Sequence, residues 1–277
     1  MQLNGPNADI LVPDASELSH ALQRTTHLGI GAHADDVEIL AWQGIAQCHD
    51  NAGQWFTGVV VSDGAGSPRS GPYSDFSDEQ MITQRIHEQR SAAQLGQYSA
   101  QLQLGYSSAQ LNAGNLEQIV AELLALLEQS QPDVLYLHNL ADAHHTHVVV
   151  AGACLAALRQ LPAALQPRQV YGVEVWRSLD WLPSQYRVAL ALPADSSLQT
   201  RLLQQHDSQV AGGKHYERAV IARQTANATF SQSHTVDACS ACALAMDYRP
   251  LLDQPGLNPD DYLAQCLQEF RVQLLGN

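Results

Sequence analysis

The chain has 277 residues, of which 45% are hydrophobic and 15% charged, and its formal net charge is −14. This length suits one large domain with a sizeable buried core. A strongly acidic surface repels phosphate groups, so we do not expect nucleic acid or anionic membranes to be partners. We find neither an apolar run of about 18 residues nor a basic start followed by an apolar stretch, so we expect no membrane span, no secretory signal and a cytoplasmic protein.

Five cysteines, an odd number, argue against a disulfide framework and fit a reducing compartment. Cys239 and Cys242 form a single C-x-x-C pair. A zinc ribbon needs a second such pair, and a thioredoxin-like site is expected near the start of a β-α-β unit. We therefore interpret both residues as ordinary thiols.

Apolar runs and helical periodicity alternate along the first part of the chain, after an extended lead-in over residues 1–20. The predicted elements are strand 26–32, helix 37–51, strand 55–61, helix 79–96, strand 102–106, helix 115–130, strand 134–138 and helix 148–161. Strands that alternate with helices predict a parallel sheet covered by helices on both faces. The fold class is therefore α/β, with a Rossmann-like parallel, partly mixed sheet.

The C-terminal part continues this alternation less regularly. It contains predicted strands 170–176 and 187–192 and predicted helices 198–206, 216–230 and 260–275. We expect an extension of the same domain, so that residues 1–277 form a single domain with its motif-bearing core at about 26–160. The segment 64–78 is rich in Gly, Ser and Pro, which predicts a long loop and a candidate lid. Arg69 and Tyr73 are its candidate substrate contacts, with a passive surface loop as the alternative.

Polar residues follow two of the predicted strands directly. His33, Asp35 and Asp36 come after the first strand, and His144 and His147 come after the fourth. In open parallel sheets, ligands bind beyond the carboxyl ends of the strands, so the two clusters converge if these strands are neighbours. One carboxylate and two histidines would form a three-ligand site, which keeps a position open for water as catalytic zinc sites do. A second carboxylate could then take the proton of that water.

A dinucleotide fingerprint overlaps this cluster. Residues 29–34 (GIGAHA) match G-x-G-x-x-A directly after a strand. The fingerprint requires the next helix to receive a pyrophosphate at its N-terminus, where Asp35 and Asp36 would repel it. The same two acids suit a metal, so we favour a metal site over NAD binding.

Several segments resemble the PIG-L/LmbE-like zinc-dependent N-deacetylases. Residues 31–38 (GAHADDVE) resemble the family signature AHPDDxE, and residues 142–147 (DAHHTH) resemble its D-x-H-P-D-H segment. Residues 61–64 (VSDG) resemble the T-D-G turn, and residues 85–96 resemble the R-x-x-E…A…L-G helix. The segments occur in the family's order across about residues 26–160.

This resemblance implies a hydrolase that removes acetyl from an N-acetylglucosamine-type amide by means of zinc, with Fe²⁺ as the alternative metal. It implies a small-molecule N-acetylated sugar or glycoside as substrate and a homo-oligomer, either a trimer or a hexamer. The metal ligands that it implies are His33, Asp36 and His147.

By the same resemblance, Asp35 is the general base and His144 supports the tetrahedral intermediate and protonates the leaving amine. Arg85 matches a residue near the substrate. Two departures stand out, since Ala34 replaces a proline and residues 145–146 (HT) replace Pro-Asp. The second departure removes an acid that could orient a metal-bound histidine, and Asp142 or a backbone carbonyl are the alternatives.

Other readings stay open at this point. A non-catalytic carbohydrate-binding protein on the same fold would have no need of the base Asp35. Two histidines and one carboxylate also describe non-haem iron oxygenases. Trp176 and Trp181 are candidates for stacking on a sugar, although we favour packing in the core. Four further residues could reach the cleft from a C-terminal helix, but we expect them to lie on exposed helix faces: His215, Arg218, Arg223 and His234.

Overall fold

The computed structural model describes residues 1–114, 116–211, 213–230 and 234–276. Within these ranges, eight strands form one sheet in the order β1-β4-β3-β2-β5-β6-β8-β7. The strands are β1 (Asp9–Leu11), β2 (His27–Gly31), β3 (Phe56–Ser62), β4 (Ala100–Tyr106), β5 (Val134–His138), β6 (Gln169–Val173), β7 (Arg187–Ala191) and β8 (Cys242–Asp247).

The five central strands, β4-β3-β2-β5-β6, are parallel, and the outer strands β1, β8 and β7 are antiparallel to their neighbours. The predicted α/β class with a partly mixed sheet is therefore confirmed. The chain first adds β3 and β4 on one side of β2 and then crosses to add β5 and β6 on the other side. This change of direction opens a crevice at the carboxyl ends of β2 and β5, where doubly wound sheets bind ligands.

Helices cover the sheet on both faces. They are α1 (Leu18–Gln23), α2 (Asp36–Leu40), α3 (Trp42–Cys48), α4 (Asp78–Leu95), α5 (Ser108–Asn112), α6 (Glu117–Ser130), α7 (His145–Gln160), α8 (Ser197–Leu203), α9 (Asp207–Val210), α10 (Tyr216–Phe230), α11 (Arg249–Asp253) and α12 (Pro259–Leu275). Across the described ranges, no helix is long and apolar enough to cross a membrane.

Successive side chains along each central strand point to opposite faces of the sheet and pack into two separate hydrophobic cores. On β5, Leu135 and Leu137 join the core that contains α1, α6, α7 and α12, whereas Val134 and Tyr136 join the core that contains α2, α3, α4 and α8. Burial of a leucine-sized side chain contributes about 1.5–3 kcal/mol. Both faces of the sheet therefore hold it rigid, which fixes the positions of the strand ends.

The structure differs from the predicted elements in several places, and the short helices α5, α9 and α11 were not predicted. Residues 1–20 were predicted to be extended, but they contain β1 and the start of α1. The predicted helix 37–51 is divided at Ala41, whose φ of −109° and ψ of 16° separate α2 from α3. Strand β8 was not predicted, because its short run of small apolar residues has no clear periodicity. Asn115, at the start of the predicted helix 115–130, and Asn277, at the end of the predicted domain, lie outside the described residues.

Candidate active site

A tight turn after β2 presents the first half of the site. A side chain at Gly31 would place its Cβ 2.9 Å from the Cβ of Asp36, so glycine lets the turn approach the strand. The backbone N–H of His33 donates to Asp36 Oδ2 at 2.7 Å. Asp35 has a φ of +89°, a left-handed conformation that is uncommon for a residue other than glycine. This conformation directs the two adjacent carboxylates to different positions, and such outliers concentrate at functional sites.

The three predicted metal ligands lie at the corners of a nearly equilateral triangle. His33 Nδ1 is 3.2 Å from Asp36 Oδ2 and 3.2 Å from His147 Nε2, and His147 Nε2 is 3.3 Å from Asp36 Oδ2. A tetrahedral zinc ion with ligands at about 2.0–2.1 Å separates its ligand atoms by about 3.3–3.4 Å. The donor set and its spacing therefore fit a divalent cation of this kind. The pairing of β2 with β5 brings the two turns together.

His138, the last residue of β5, is a fourth member of the cluster that the sequence prediction missed. Its Nε2 lies 3.1 Å from Asp36 Oδ2 and accepts a hydrogen bond from the N–H of Ala32 at 2.9 Å. Its ring stacks on that of His147 with a centroid distance of 3.8 Å. Burial lowers the pKa of His138 to about 4 despite the nearby charge of Asp36, so the ring is neutral. The available signal was a polar residue at the end of an apolar strand.

Asp142 lies behind His147, on the side away from the other ligands. Asp142 Oδ2 is 3.1 Å from His147 Nδ1, and Oδ1 accepts a hydrogen bond from the backbone N–H of His144 at 2.8 Å. Burial opposes a charged imidazole, but the carboxylates of Asp36 and Asp142 raise the pKa of His147 to about 10. The site therefore stabilises positive charge, as a cation-binding centre must. Of the two alternatives for orienting His147, the geometry supports Asp142.

The carboxylate of Asp35 is held by a buried guanidinium. Asp35 Oδ2 lies 3.3 Å from Arg85 Nη2, and Arg85 also donates to the carbonyl of Ala34 and to Glu88 Oε2, the latter at 3.0 Å. Burial raises the pKa of Asp35, an effect that Arg85 opposes and the charge of Asp36 increases. A raised pKa suits a carboxylate that must take up a proton near neutral pH.

Arg85 itself is only 2% exposed, although it lines the cleft. Its donors are directed to Asp35, Ala34 and Glu88, which supports a role in orienting the carboxylate of Asp35. The predicted contact between Arg85 and substrate stays a prediction.

A second buried network holds the backbone of Asp35, the predicted base. The N–H of Asp35 points to Gln89 Oε1 at 3.4 Å, and Gln89 Nε2 donates to Glu38 Oε1 at 2.9 Å. The same oxygen of Glu38 accepts from the hydroxyl of Tyr98 at 2.8 Å. Asp35 is thus fixed through its backbone by α4 and through its carboxylate by Arg85.

His144 immediately precedes α7 and faces the metal ligands. Its ring centroid is 4.9 Å from that of His33 and 4.6 Å from that of His147. Burial lowers the pKa of His144, and the neighbouring imidazoles of His147 and His33 lower it further. The structure places His144 beside the predicted ligands, and its catalytic role stays a prediction.

Comparison with known proteins identifies the family. The profile of the PIG-L family, described as GlcNAc-PI de-N-acetylase, matches residues 28–158. The match covers just under half of the chain and includes the turns after β2 and β5. This result confirms the family predicted from the motifs after β2 and β5. A search of curated proteins gives no match.

Several solved structures share the fold. The N,N'-diacetylchitobiose deacetylase of Pyrococcus horikoshii is 15% identical, with a TM-score of 0.61 over 84% of this chain and 88% of that chain. A conserved protein of Thermus thermophilus is 16% identical, with a TM-score of 0.62 over 80% and 94%. The 4-carboxy-2-hydroxymuconate hydratase of Pseudomonas putida is 16% identical, with a TM-score of 0.58 over 80% and 95%. At identities this low, the structural similarity establishes the fold alone.

The site opens into a cleft of about 500 Å³. One rim is the predicted lid loop 64–78, and the other includes Trp176 and four residues on either side of the start of α10: Ser208, Gln209, Lys214 and Tyr216. Arg69 binds the carbonyl of Ser67 and the carboxylate of Asp78, and Tyr73 donates to Asp207 Oδ2 at 2.6 Å. These two candidate substrate contacts therefore hold the loop in place.

Of the two tryptophans, Trp181 packs against the larger core, as we favoured, whereas Trp176 lines the cleft. Tyr216 is a further cleft residue that the sequence prediction did not single out. Burial and the charge of Asp35 raise the pKa of Tyr216 to about 12, so its phenol keeps its proton at neutral pH.

The contact between Asp142 and His147 leads to a prediction about metal affinity. We expect Asp142→Asn to weaken metal binding by about 10–100-fold, because loss of a carboxylate that orients a metal-bound histidine typically has this effect. Competition with a chelator of known affinity measures the change. Asp133→Asn is the matched control, since Asp133 precedes β5 at the opposite edge of the sheet and its side chain is 59% exposed. Equal metal affinities in the two variants would show that Asp142 does not support metal binding.

Proposed function

We propose that this protein is a zinc-dependent N-deacetylase that hydrolyses the acetamide of an N-acetylglucosamine-type sugar or glycoside. The observation that carries the proposal is the triangle formed by His33, Asp36 and His147, with the carboxylate of Asp35 beside it. The match of residues 28–158 to the PIG-L family, described as GlcNAc-PI de-N-acetylase, supports the same chemistry.

Each residue of the site has a defined task in this proposal. Zinc, when bound by the three ligands, polarises a carbonyl group and lowers the pKa of water to about 7. Asp35 accepts the proton of the attacking water, and burial, which raises the pKa of Asp35, favours the protonated form that results. His144 or protonated Asp35 delivers a proton to the departing amine nitrogen. The products are acetate and the free amino sugar.

Two of the alternatives are less well supported by this arrangement. A protein that only binds sugar needs no carboxylate fixed next to the metal ligands by Arg85 and Gln89. In an iron oxygenase with a two-histidine, one-carboxylate site, an additional base at the position of Asp35 would have no evident task. The use of Fe²⁺ in place of zinc, the trimeric or hexameric assembly and the cytoplasmic location stay predictions.

The proposal is tested by a screen of N-acetylated sugars and glycosides for released acetate. We expect acetate from at least one substrate, loss of that activity after treatment with a chelator, and recovery when zinc is restored. Parallel restoration with Fe²⁺ compares the two metals. Acetate release that continues unchanged in metal-free protein would refute the proposal, and sugar binding without any acetate would favour the non-catalytic reading.

A further inference from the structure

The chain contains a single lysine, and it lies at the active-site cleft. Lys214 is the only lysine among the 277 residues. It lies between α9 and α10 and lines the same cleft as His33, Asp35 and Asp36. In a protein with a formal net charge of −14, a lone lysine at the mouth of the proposed catalytic site calls for a physical explanation.

The ammonium of Lys214 rests against aromatic rings rather than against an acid. Its Nζ lies 4.6 Å from the ring centroid of Trp176 and 5.6 Å from that of Tyr216. The two rings meet edge to face, with centroids 5.9 Å apart. Among the residues that the structure describes, no carboxylate pairs with Lys214 and no side-chain or backbone acceptor takes a hydrogen bond from its Nζ. The three N–H donors of this ammonium are therefore available to a ligand.

The aromatic platform under Lys214 is fixed by α10. Arg223, on that helix, donates to three consecutive backbone carbonyls, those of residues 175, 176 and 177, at 2.9, 3.1 and 3.0 Å. Trp176 thus stays at the cleft although it is 39% exposed. Arg223 therefore positions Trp176, and its guanidinium is engaged by the backbone at this rim.

We propose that Lys214, with Trp176 and Tyr216, forms a subsite for an anionic group on the substrate, a carboxylate or a phosphate attached to the N-acetylated sugar. The acidic protein repels anions at long range, so an anionic substrate needs a local cation in the cleft. Hydrogen bonds from an ammonium to an anion are strong, and aromatic rings provide faces for the sugar ring. For its kinetic test, this inference rests on the proposed deacetylase function.

The first experiment compares acetate release from three probes: N-acetylglucosamine, N-acetylglucosamine 6-phosphate and N-acetylmuramic acid. We expect an anionic probe to have the higher kcat/KM, and we expect Lys214→Gln to lower this value by about tenfold or more, as loss of a charged hydrogen bond does. For the neutral probe, Lys214→Gln should change kcat/KM by less than about twofold, because this probe has no anionic group for the ammonium to bind. The two anionic probes separate a carboxylate from a phosphate.

Matched variants make this result specific. Lys214→Arg keeps the charge and should retain most of the preference for the anion. Arg168→Gln removes an equal charge from a side chain that is 87% exposed and paired with Asp133 at the far edge of the sheet, so it should leave the preference intact. Equal kcat/KM values for neutral and anionic probes, or an equal loss for both in Lys214→Gln, would overturn the inference.

A second experiment does not depend on catalysis. Because Lys214 is the only lysine, an amine-reactive reagent modifies one side chain, and the N-terminal amine serves as an internal reference in mass spectrometry. We expect the anionic probes, and not N-acetylglucosamine, to slow modification of Lys214 relative to the terminal amine. Protection without acetate release would refute the proposed function and keep the subsite. Acetate release without protection or preference would refute the subsite alone.

Discussion

Replacement of Asp35 by asparagine is expected to lower acetate release by about 10²–10⁴-fold, the range that a general base typically contributes. An amide of the same shape can occupy the position beside Arg85, but it cannot take up the proton of water. The metal content should stay unchanged, because Asp36 and not Asp35 completes the triangle with His33 and His147. Parallel measurements of kcat/KM and of bound metal test both parts of the prediction.

The contrast between the two adjacent acids explains why this effect should be selective. Burial raises the pKa of Asp35, whereas the imidazoles of His147 and His138 hold the pKa of Asp36 well below its usual range, in spite of its burial. Pairs of carboxylates whose surroundings push their pKa values apart mark a division of labour between proton transfer and binding of a cation. Asp35 is the member suited to exchange a proton.

Asp133→Asn serves as the control for Asp35→Asn, because it makes the same chemical change on an exposed side chain at the opposite edge of the sheet. Its kcat/KM should match that of the unaltered protein. Should Asp35→Asn retain full activity with metal bound, the base would have to be another residue. Loss of metal together with activity would instead make Asp35 part of the metal site.

Replacement of His147 by asparagine is expected to remove both metal and activity. His147 Nε2 forms two edges of the ligand triangle, at 3.2 Å from His33 Nδ1 and 3.3 Å from Asp36 Oδ2. Loss of a residue that orients a ligand typically weakens metal binding by about 10–100-fold. Loss of a direct ligand such as His147 should weaken it further. His147→Asn should therefore bind metal more weakly than Asp142→Asn when both are titrated against the same chelator.

His145→Asn is the matched histidine control. His145 lies two residues before His147 in the same first turn of α7, but its side chain is exposed. Metal content and acetate release should remain close to those of the unaltered protein in this variant. If His147→Asn bound metal as tightly as His145→Asn, the proposed ligand set would be wrong.

Part of the site was predictable from local sequence, and part was not. The turn that carries His33 and Asp36 directly follows an apolar run, so the end of a strand and its polar cluster could be recognised together. His138 was missed because it is the last residue of the strand β5 itself, whereas the predicted ligands were sought among the residues that follow the strand. The contacts of Arg85 with Asp35 were also not predictable, since they depend on how α4 packs against the turn after β2.

The sequence by itself determined the alternation of strands and helices and the identity of the donor groups at two strand ends, because periodicity and turns depend on residues close together in the chain. Only the tertiary structure decided that β2 and β5 are neighbours, that His138 joins the cluster and that Lys214 rests on Trp176. These contacts join residues far apart in the chain. They arise from strand pairing and packing across the sheet, which local sequence patterns do not specify.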